Sequence, residues 1–257
     1  MKNIRSQVPA SFARVHDQSG ASTFTRNVLA IMDRIEYRLC DSGEDLEAIY
    51  RLRYQAYLQA GMIDANPSRV VKDQFDDLPN SYRYGVFYEG ELVSTLRLHY
   101  VSAKYPISPS TEVFGDVLMP RLAAGETFVD PSRFAADAEW AASLRVLPFI
   151  TLRLAMVASR FFKPTACLTA IKEEHSGFYK RVFNAEAVVE ARTYPGLTIP
   201  VYLYQSRTPE AVDQAEERFP FFKSTPLEQR MLFRRSNQEE LAPLTILPSA
   251  RHLSNAA

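Results

Sequence analysis

Apolar residues recur at a helical period at Phe24, Val28, Leu29 and Met32, so a short amphipathic segment precedes a first strand running from Arg34 to Leu39. Ser42 stands three residues before Asp45 as a capping-box-like start, and Leu46, Ile49, Tyr50 and Tyr57 continue one helical stripe. Two β-rich runs, Tyr82 to Tyr88 and Glu91 to Val101, are joined by the two-residue turn Glu89-Gly90, a hairpin signal. In the second run, alternation puts Val93, Thr95, Arg97 and His99 on one face and Leu92, Leu96, Leu98 and Tyr100 on the other. A Pro-containing loop from Tyr105 to Gly125 follows, and then a short strand, Thr127 to Asp130, that Pro131 cuts off.

Further along, the pattern predicts a long helix over Leu144 to Phe162 and a strand over Ala166 to Ile171. A helix over Glu174 to Phe183 follows, which Asn184 ends in the left-handed conformation, and then strands over Ala187 to Ala191 and Thr198 to Tyr204. This order gives an α/β protein with a mixed, largely antiparallel sheet flanked by helices. Thr208-Pro209 and Thr225-Pro226-Leu227-Glu228 each start a helix, the second as a full capping box, and these form a C-terminal helical appendage. The expected organisation is a mobile N-terminal arm over residues 1 to about 22 within a leading segment 1–33, a main domain 34–205, and an extension 206–257.

Arginines interrupt this apolar pattern. Arg53 lies on the Leu46 stripe, roughly 20° from Leu46 at about 100° per residue, whereas Arg51 points away. A charge on a core-facing stripe either pairs with a carboxylate or snorkels to solvent from the end of its helix. Arg97 sits inside its strand. With Arg133 they are accompanied by Asp73 and Asp76 in Lys72-Asp-Gln-Phe-Asp-Asp77, and by Asp130 in Val129-Asp-Pro-Ser-Arg-Phe134. One buried network of these charges could fix a polar substrate and hold a carboxylate for acid–base work, and a purely structural ion-pair network would look the same.

Composition narrows the classes. The chain has 257 residues, 46% apolar, with thirty Lys and Arg against thirty Asp and Glu. It is a globule with a sizeable core and no global field for nucleic acid or an anionic membrane, so any basic site is local. Nine glycines, none closer than Gly85 and Gly90, exclude a G-x-G-x-x-G turn, and Glu91 follows Gly90 where a P-loop needs lysine. Two distant cysteines, Cys40 and Cys167, and four scattered histidines predict neither a disulfide framework nor a metal site, and Cys167, His99 and His175 read as structural. The absence of a signal-peptide or transmembrane pattern points to the cytoplasm.

Four motifs, in order, carry a family resemblance: Tyr50-Arg-Leu-Arg-Tyr-Gln-Ala-Tyr57, Asp73-x-Phe75-Asp76, Ser94-Thr-Leu-Arg97-Leu98 and Asp130-x-Ser132-Arg133-Phe134. Over about residues 34 to 204 the chain resembles the acyl-homoserine-lactone synthases and the related N-acyl amino acid synthases, a GNAT-fold branch. The resemblance implies a GNAT-like domain that moves a fatty acyl group from acyl carrier protein to the amine of an amino acid or its derivative. It implies that Arg53, Asp73, Asp76, Arg97, Arg133 and Phe134 bind substrate. Asp130 takes the place of the family's E-x-S-R-F glutamate as general base, one methylene shorter and stiffened by Pro131. His175-Ser-Gly-Phe-Tyr-Lys-Arg-Val-Phe-Asn184 is similar to a GNAT helix whose tyrosine protonates the departing thiolate, so Tyr179 is either that acid or an aromatic packed under the sheet.

GNAT enzymes that use coenzyme A carry an R/Q-x-x-G-x-G/A loop before the long helix, whereas residues 135–146 contain no glycine. The resemblance therefore implies no permanently bound cofactor or metal, and the acyl-phosphopantetheine of acyl carrier protein as donor. Arg145, Arg153 and Arg160 fall within roughly 80° of one another on the long helix, extended by Lys163, either as a docking stripe for an acidic carrier protein or as an ordinary solvated face. The expected partners are acyl carrier protein and an amino-acid acceptor, with transient membrane contact through a lipid-like product and no nucleic acid. The C-terminal helices favour an N-acyl amino acid synthase. A homoserine-lactone synthase, an ornithine-type lipid N-acyltransferase and a non-catalytic acyl-sensing module are the alternatives.

Overall fold

The structure, a computed structural model, describes residues 22–194, 196–235 and 245–254. The N-terminal arm expected before them lies outside the described residues. Helix α1 (Thr23–Met32) opens on Ser22, whose hydroxyl accepts from the Thr25 amide at 3.1 Å, and it buries Val28, Leu29 and Met32 as their spacing predicts. Strand β1 (Ile35–Leu39) leads to α2 (Gly43–Gln59), which starts at the expected place, although the Ser42 side chain makes no capping bond. Strands β2 (Ser81–Tyr88) and β3 (Glu91–Val101) form the expected hairpin.

The segment expected as a loop after β3 instead holds two short helices, α3 (Pro109–Val113) and α4 (Gly115–Ala123). Ser108 and Thr111 form a reciprocal capping box, and Pro109 occupies the first turn, where no amide donor is needed. The remaining elements are β4 (Phe128–Ala136), α5 (Ala138–Ser143), α6 (Leu147–Phe162), β5 (Ala166–Ile171), α7 (Ser176–Phe183), β6 (Glu186–Thr193), β7 (Pro200–Arg207), α8 (Glu210–Arg218), α9 (Pro226–Phe233), β8 (Thr245–Ile246) and α10 (Ala250–Ser254). The long helix starts later than its apolar pattern implies: Leu144 closes α5, and Pro148 enters the first turn of α6.

One sheet of order β6-β7-β5-β4-β3-β2-β1-β8 runs through the molecule, antiparallel except between β4 and β5. That parallel pair makes only two register pairs, Phe128 with Ala166 and Val129 with Cys167, before the strands part. Pro131, with no amide to donate, lies just past the last pair. The expectation that Pro131 ends the strand is corrected: β4 stays paired with β3 as far as Ala136, and only its ladder to β5 stops. An irregularity between β2 and β3 also changes the predicted face pattern. Val86 lies opposite Ser94 and Phe87 opposite Leu92, so Val93 is the extra residue. Val93 therefore joins the main core with Leu96 and Leu98, while Leu92 packs with Cys40, Ile49 and Tyr50 under α2.

The expected C-terminal helices are present and pack into the main core. Phe221, Phe222, Leu232 and Phe233 are buried in the same core as Leu147, Ile150 and Leu154 of α6, and Phe24 of α1 meets Phe149, Phe219 and Phe221 edge to face. Arg153 is the polar bolt of this junction. It is fully buried, pairs through both terminal nitrogens with Glu228 of α9, and donates to the Phe221 and Lys223 carbonyls at 2.8 and 2.5 Å. Arg153 thus cannot belong to an exposed docking stripe. Glu228, read as the far half of a capping box, is instead drawn into the core; only the Thr225 half of the box forms, its hydroxyl accepting from the Glu228 amide at 3.2 Å.

Arg153→Ala should cost about 3–5 kcal/mol in urea unfolding, because Glu228 would be left buried and uncompensated. Arg160→Ala, on the partly exposed side of the same helix, should cost about 1 kcal/mol or less. Equal losses would show that the junction does not depend on the buried pair.

Candidate active site

The predicted charges meet on the face of the sheet covered by α2. Arg53, fully buried on α2, donates to Asp76 at 2.8 Å and lies with its guanidinium 5.2 Å from the Tyr50 ring centroid. Of the two readings of Arg53, pairing is the one found. Arg97, fully buried on β3, spans both aspartates: 2.5 and 3.2 Å to the two oxygens of Asp73, and 3.1 Å to Asp76. Its Nε donates to Ser132 at 3.0 Å. Arg133 closes the network on Asp73 through Nε at 3.0 Å and Nη2 at 2.6 Å.

Local backbone explains how Arg133 reaches it. Arg97 lies opposite Ser132 and Thr95 opposite Ala135, so Leu96 faces two residues, Arg133 and Phe134. This is a β-bulge, and Arg133 takes φ 55° within it. Ser132 and Arg133 are thereby turned to the same face, where strict alternation would have sent one of them into the core. The aspartates come from a stretch between α2 and β2 without regular structure, held by the Asp73 amide donating to Asp76 at 3.0 Å and the Phe75 amide donating to Asp73 at 2.9 Å.

Burial works against ionised Asp73, but Arg97 and Arg133 outweigh it and hold the carboxyl well below the usual carboxylate range. Asp76 is lowered in the same way, with Arg53 and Arg97 overcoming its burial. Both are committed anions and poor proton acceptors. His99, beside them, is neutral: burial and then Arg97 push it down to about 3, and its Nε2 donates to the Phe75 carbonyl at 2.9 Å.

Where β4 and β5 part, a cavity of about 200 Å³ passes through the sheet. On the α2 side it is lined by Tyr57, Met62, Arg133, Tyr194 and Leu197; on the α6 side by Leu152, Ala155, Met156, Cys167, Tyr179, Phe183, Ala211 and Val212. Phe134, expected to bind substrate, also lines it. Lys172 and His175 lie at its rim, His175 exposed. Arg133 is the charged member of the network that reaches the cavity, beside Ser132, and its Nη1 has no hydrogen bond among the described residues. Tyr179 is packed between Phe178 and Phe183, its hydroxyl without a protein partner among the described residues, and burial pushes its phenol up so that it stays protonated. Burial likewise pushes the Cys167 thiol up to about 12, leaving it unreactive.

Asp130 is not brought to this cavity. It is fully buried on β4, accepting from the Ser110 amide at 3.0 Å and the Ser110 hydroxyl at 2.7 Å, and burial raises its carboxyl although these bonds partly offset it. Each of its oxygens is engaged by Ser110, and the side chain does not line the cavity in which a substrate proton would be transferred. The expected docking stripe is also reduced. Arg160 is held by Glu216 at 2.7 Å and Asp213 at 2.5 Å of α8, and Arg145 precedes α6, so of the four residues only Arg145 and Lys163 are exposed. Tyr57, one turn beyond Arg53 on the same stripe, was visible in sequence as a core residue, but its place in the cavity was not; Tyr194, Cys167 and His175 carry no sequence signal for it.

The family model described as N-acyl amino acid synthase FeeM matches residues 48–207, more than half of the chain. Among solved structures, FeeM from uncultured soil microbes superposes with a TM-score of 0.60 at 16% identity, over 72% of this chain and 97% of that one. The CoA-dependent acyl-homoserine lactone synthase MesI gives 0.47 at 19% identity, over 68% and 87%. An acyl-CoA N-acyltransferase from Pseudomonas aeruginosa gives 0.45 at 15% identity, over 66% and 97%. No match was found among curated protein sequences. The chain belongs to the N-acyl amino acid synthase FeeM family, has its GNAT-like fold, and is an N-acyltransferase. Among the described residues no helix is long and apolar enough to cross a membrane.

Two measurements test the network. Arg53→Ala should lower stability by about 3–5 kcal/mol by breaking a fully buried pair and leaving Asp76 with Arg97 as its one arginine partner, while Arg51→Ala, whose partner Glu47 is exposed, should change it by under about 1 kcal/mol. His99 is depressed from 6.5 to about 3, so its contribution is complete above pH 6.5 and lost as pH falls toward 3. His99→Gln keeps a donor for the Phe75 carbonyl and should flatten the dependence of Tm on pH between about 6.5 and 4. Parallel curves for the two proteins would show that His99 takes up its proton at the same pH folded and unfolded, and so is not depressed by its burial.

Proposed function

We propose that this N-acyltransferase takes a fatty acyl group from the phosphopantetheine thioester of acyl carrier protein and joins it to the amine of an amino acid, releasing an N-acyl amino acid. The observation that carries this reading is the cavity at the divergent strands, with the Arg133 guanidinium on the α2 side and a lining on the α6 side that is mainly apolar, interrupted by Ser159, Thr208 and the Tyr179 hydroxyl. It offers one end for a charged acceptor, the other for an alkyl chain, and a gap between two strands for the thioester.

On the α2 side Arg133 lines the cavity together with Tyr57 and Tyr194, its Nη1 making no hydrogen bond among the described residues, and an acceptor carboxylate there would receive a charge-assisted hydrogen bond. Asp73 and Ser132 serve this indirectly. Asp73 fixes the guanidinium, and Ser132 fixes Arg97, which fixes Asp73. The neutral amine attacks the carbonyl carbon, the C–N bond forms, and the C–S bond breaks. The acceptor's ammonium gives one proton to solvent at the Lys172 and His175 rim before attack, the nitrogen gives up a second to solvent as the amide forms, and the departing thiolate takes one from the Tyr179 hydroxyl, which solvent then restores. Neither Asp130 nor a nucleophilic cysteine takes part.

Carrier protein is favoured as donor by the segment between β4 and α6. The first amides of α5, at Glu139 and Trp140, are occupied by the Asp137 carboxylate at 3.0 Å each, and an anion already seated there leaves those amides unavailable to a coenzyme A pyrophosphate. The phosphopantetheine arm itself is common to both donors.

Incubation with long-chain acyl carrier protein and a pool of amino acids, followed by mass spectrometry, should yield an N-acyl amino acid and free carrier-protein thiol. Turnover with acyl coenzyme A alone would overturn the donor, and acylation of a non-amino-acid amine alone would overturn the acceptor. Tyr179→Phe should lower kcat by about 100-fold with Tm unchanged, the size expected for loss of a general acid. Asp130→Asn should leave kcat within about threefold in protein that remains folded, since removal of a working acid or base costs far more than that.

A further inference from the structure

Residues 208–257 lie beyond the stretch matched by the family model, yet Thr208, Ala211 and Val212 line the cavity. We infer that α8 is the end wall of the acyl pocket and that Ala211 and Val212 set the length of chain this enzyme accepts. The inference rests on the acyl-transfer reading above and adds a specificity determinant to it.

Three observations carry it. First, the two ends of the cavity differ in access: His175 at the rim is exposed, whereas Ala211 and Val212 are 4% and 3% exposed and face Leu152, Ala155 and Met156 of α6 around the same space. A chain entering between β4 and β5 with its thioester near Tyr179 therefore runs toward α8 and stops there. Second, the lining at that end is mainly apolar, interrupted by Ser159 and Thr208, and two of its members, Ala155 and Ala211, are alanines, so the space remaining is set by how little those side chains fill. Third, α8 is anchored. Arg160 of α6 grips Asp213 and Glu216 of α8, and Ala215 packs into the main core beside Val212. A wall tied on both its polar and apolar sides resists displacement by a longer chain, which is the condition for it to act as a stop. Arg160, expected as a docking residue, is thereby assigned to holding this wall.

The test is a chain-length profile. Wild type, Ala211→Leu and Val212→Ala would be assayed with saturated acyl carrier protein thioesters of increasing length. Ala211→Leu should move the optimum to shorter chains, lowering kcat/KM for the wild-type optimum by about 10–200-fold, the range for a methylene-scale misfit in an apolar pocket, and Val212→Ala should move it to longer chains. In parallel, displacement of a fluorescent fatty acid by free fatty acids of the same lengths reads the pocket without turnover. Identical profiles for wild type and both folded variants would overturn the wall. If wild type acylates nothing, the acyl-transfer reading fails instead, and the displacement series alone decides whether α8 limits chain length. Should Ala211→Leu not fold, Val212→Ala decides: an unchanged length preference overturns the inference, and a longer one supports it.

Discussion

Arg97 is the charge on which the site depends. A guanidinium fully buried in the middle of a sheet would be prohibitively unstable alone, and the chain meets that cost by bringing Asp73 and Asp76 to it from a segment with no regular structure of its own. The same two carboxylates then receive Arg53 from α2 and Arg133 from the bulge of β4. Removing Asp73 would leave Arg133 without its partner, removing Asp76 would do the same to Arg53, and removing Arg97 would take one partner from each aspartate. That mutual requirement ties α2, the irregular segment and the two central strands into one geometry, and Arg133 extends the network to the cavity.

The cavity has a separate physical origin. β4 must pair with β3 along its length, but it need not pair with β5, and Pro131 withholds an amide just where that second ladder would continue. The bulge then turns Ser132 and Arg133 toward α2 while Phe134 stays with the main core. A proline and one extra residue thus open the sheet, line the opening with a cation on one side, and leave the other side to the apolar faces of α6, α7 and α8.

α6 joins the two halves of the molecule. Its inner face supplies the core and the cavity, and its two paired arginines are both spent on the C-terminal segment: Arg153 inside, against Glu228, and Arg160 nearer the surface, against Asp213 and Glu216. The segment past β7 is therefore part of the same folded unit that forms the pocket.

Element types were largely legible in the sequence because local periodicity reports which face of a helix or strand is buried, and this held for α1, α2, the hairpin, α6, β5 and α7. The charged residues of the site were legible for the same reason: Arg53 and Arg97 stood out by occupying core positions, and the four motifs gave their partners. What local pattern could not carry was anything depending on a second segment far away in the chain. Whether Arg153 faced solvent or Glu228, whether Asp130 met a substrate or Ser110, and whether Pro131 ended a strand or only one of its two ladders were all decided by residues distant in sequence. Single extra residues in β3 and β4 reversed side-chain faces that strict alternation assigned, since a period of two amplifies one insertion into a full inversion. The sequence by itself determined which residues had to be buried and that their charges had to cancel; only the tertiary structure decided with whom, because a buried charge selects its partner by position in space.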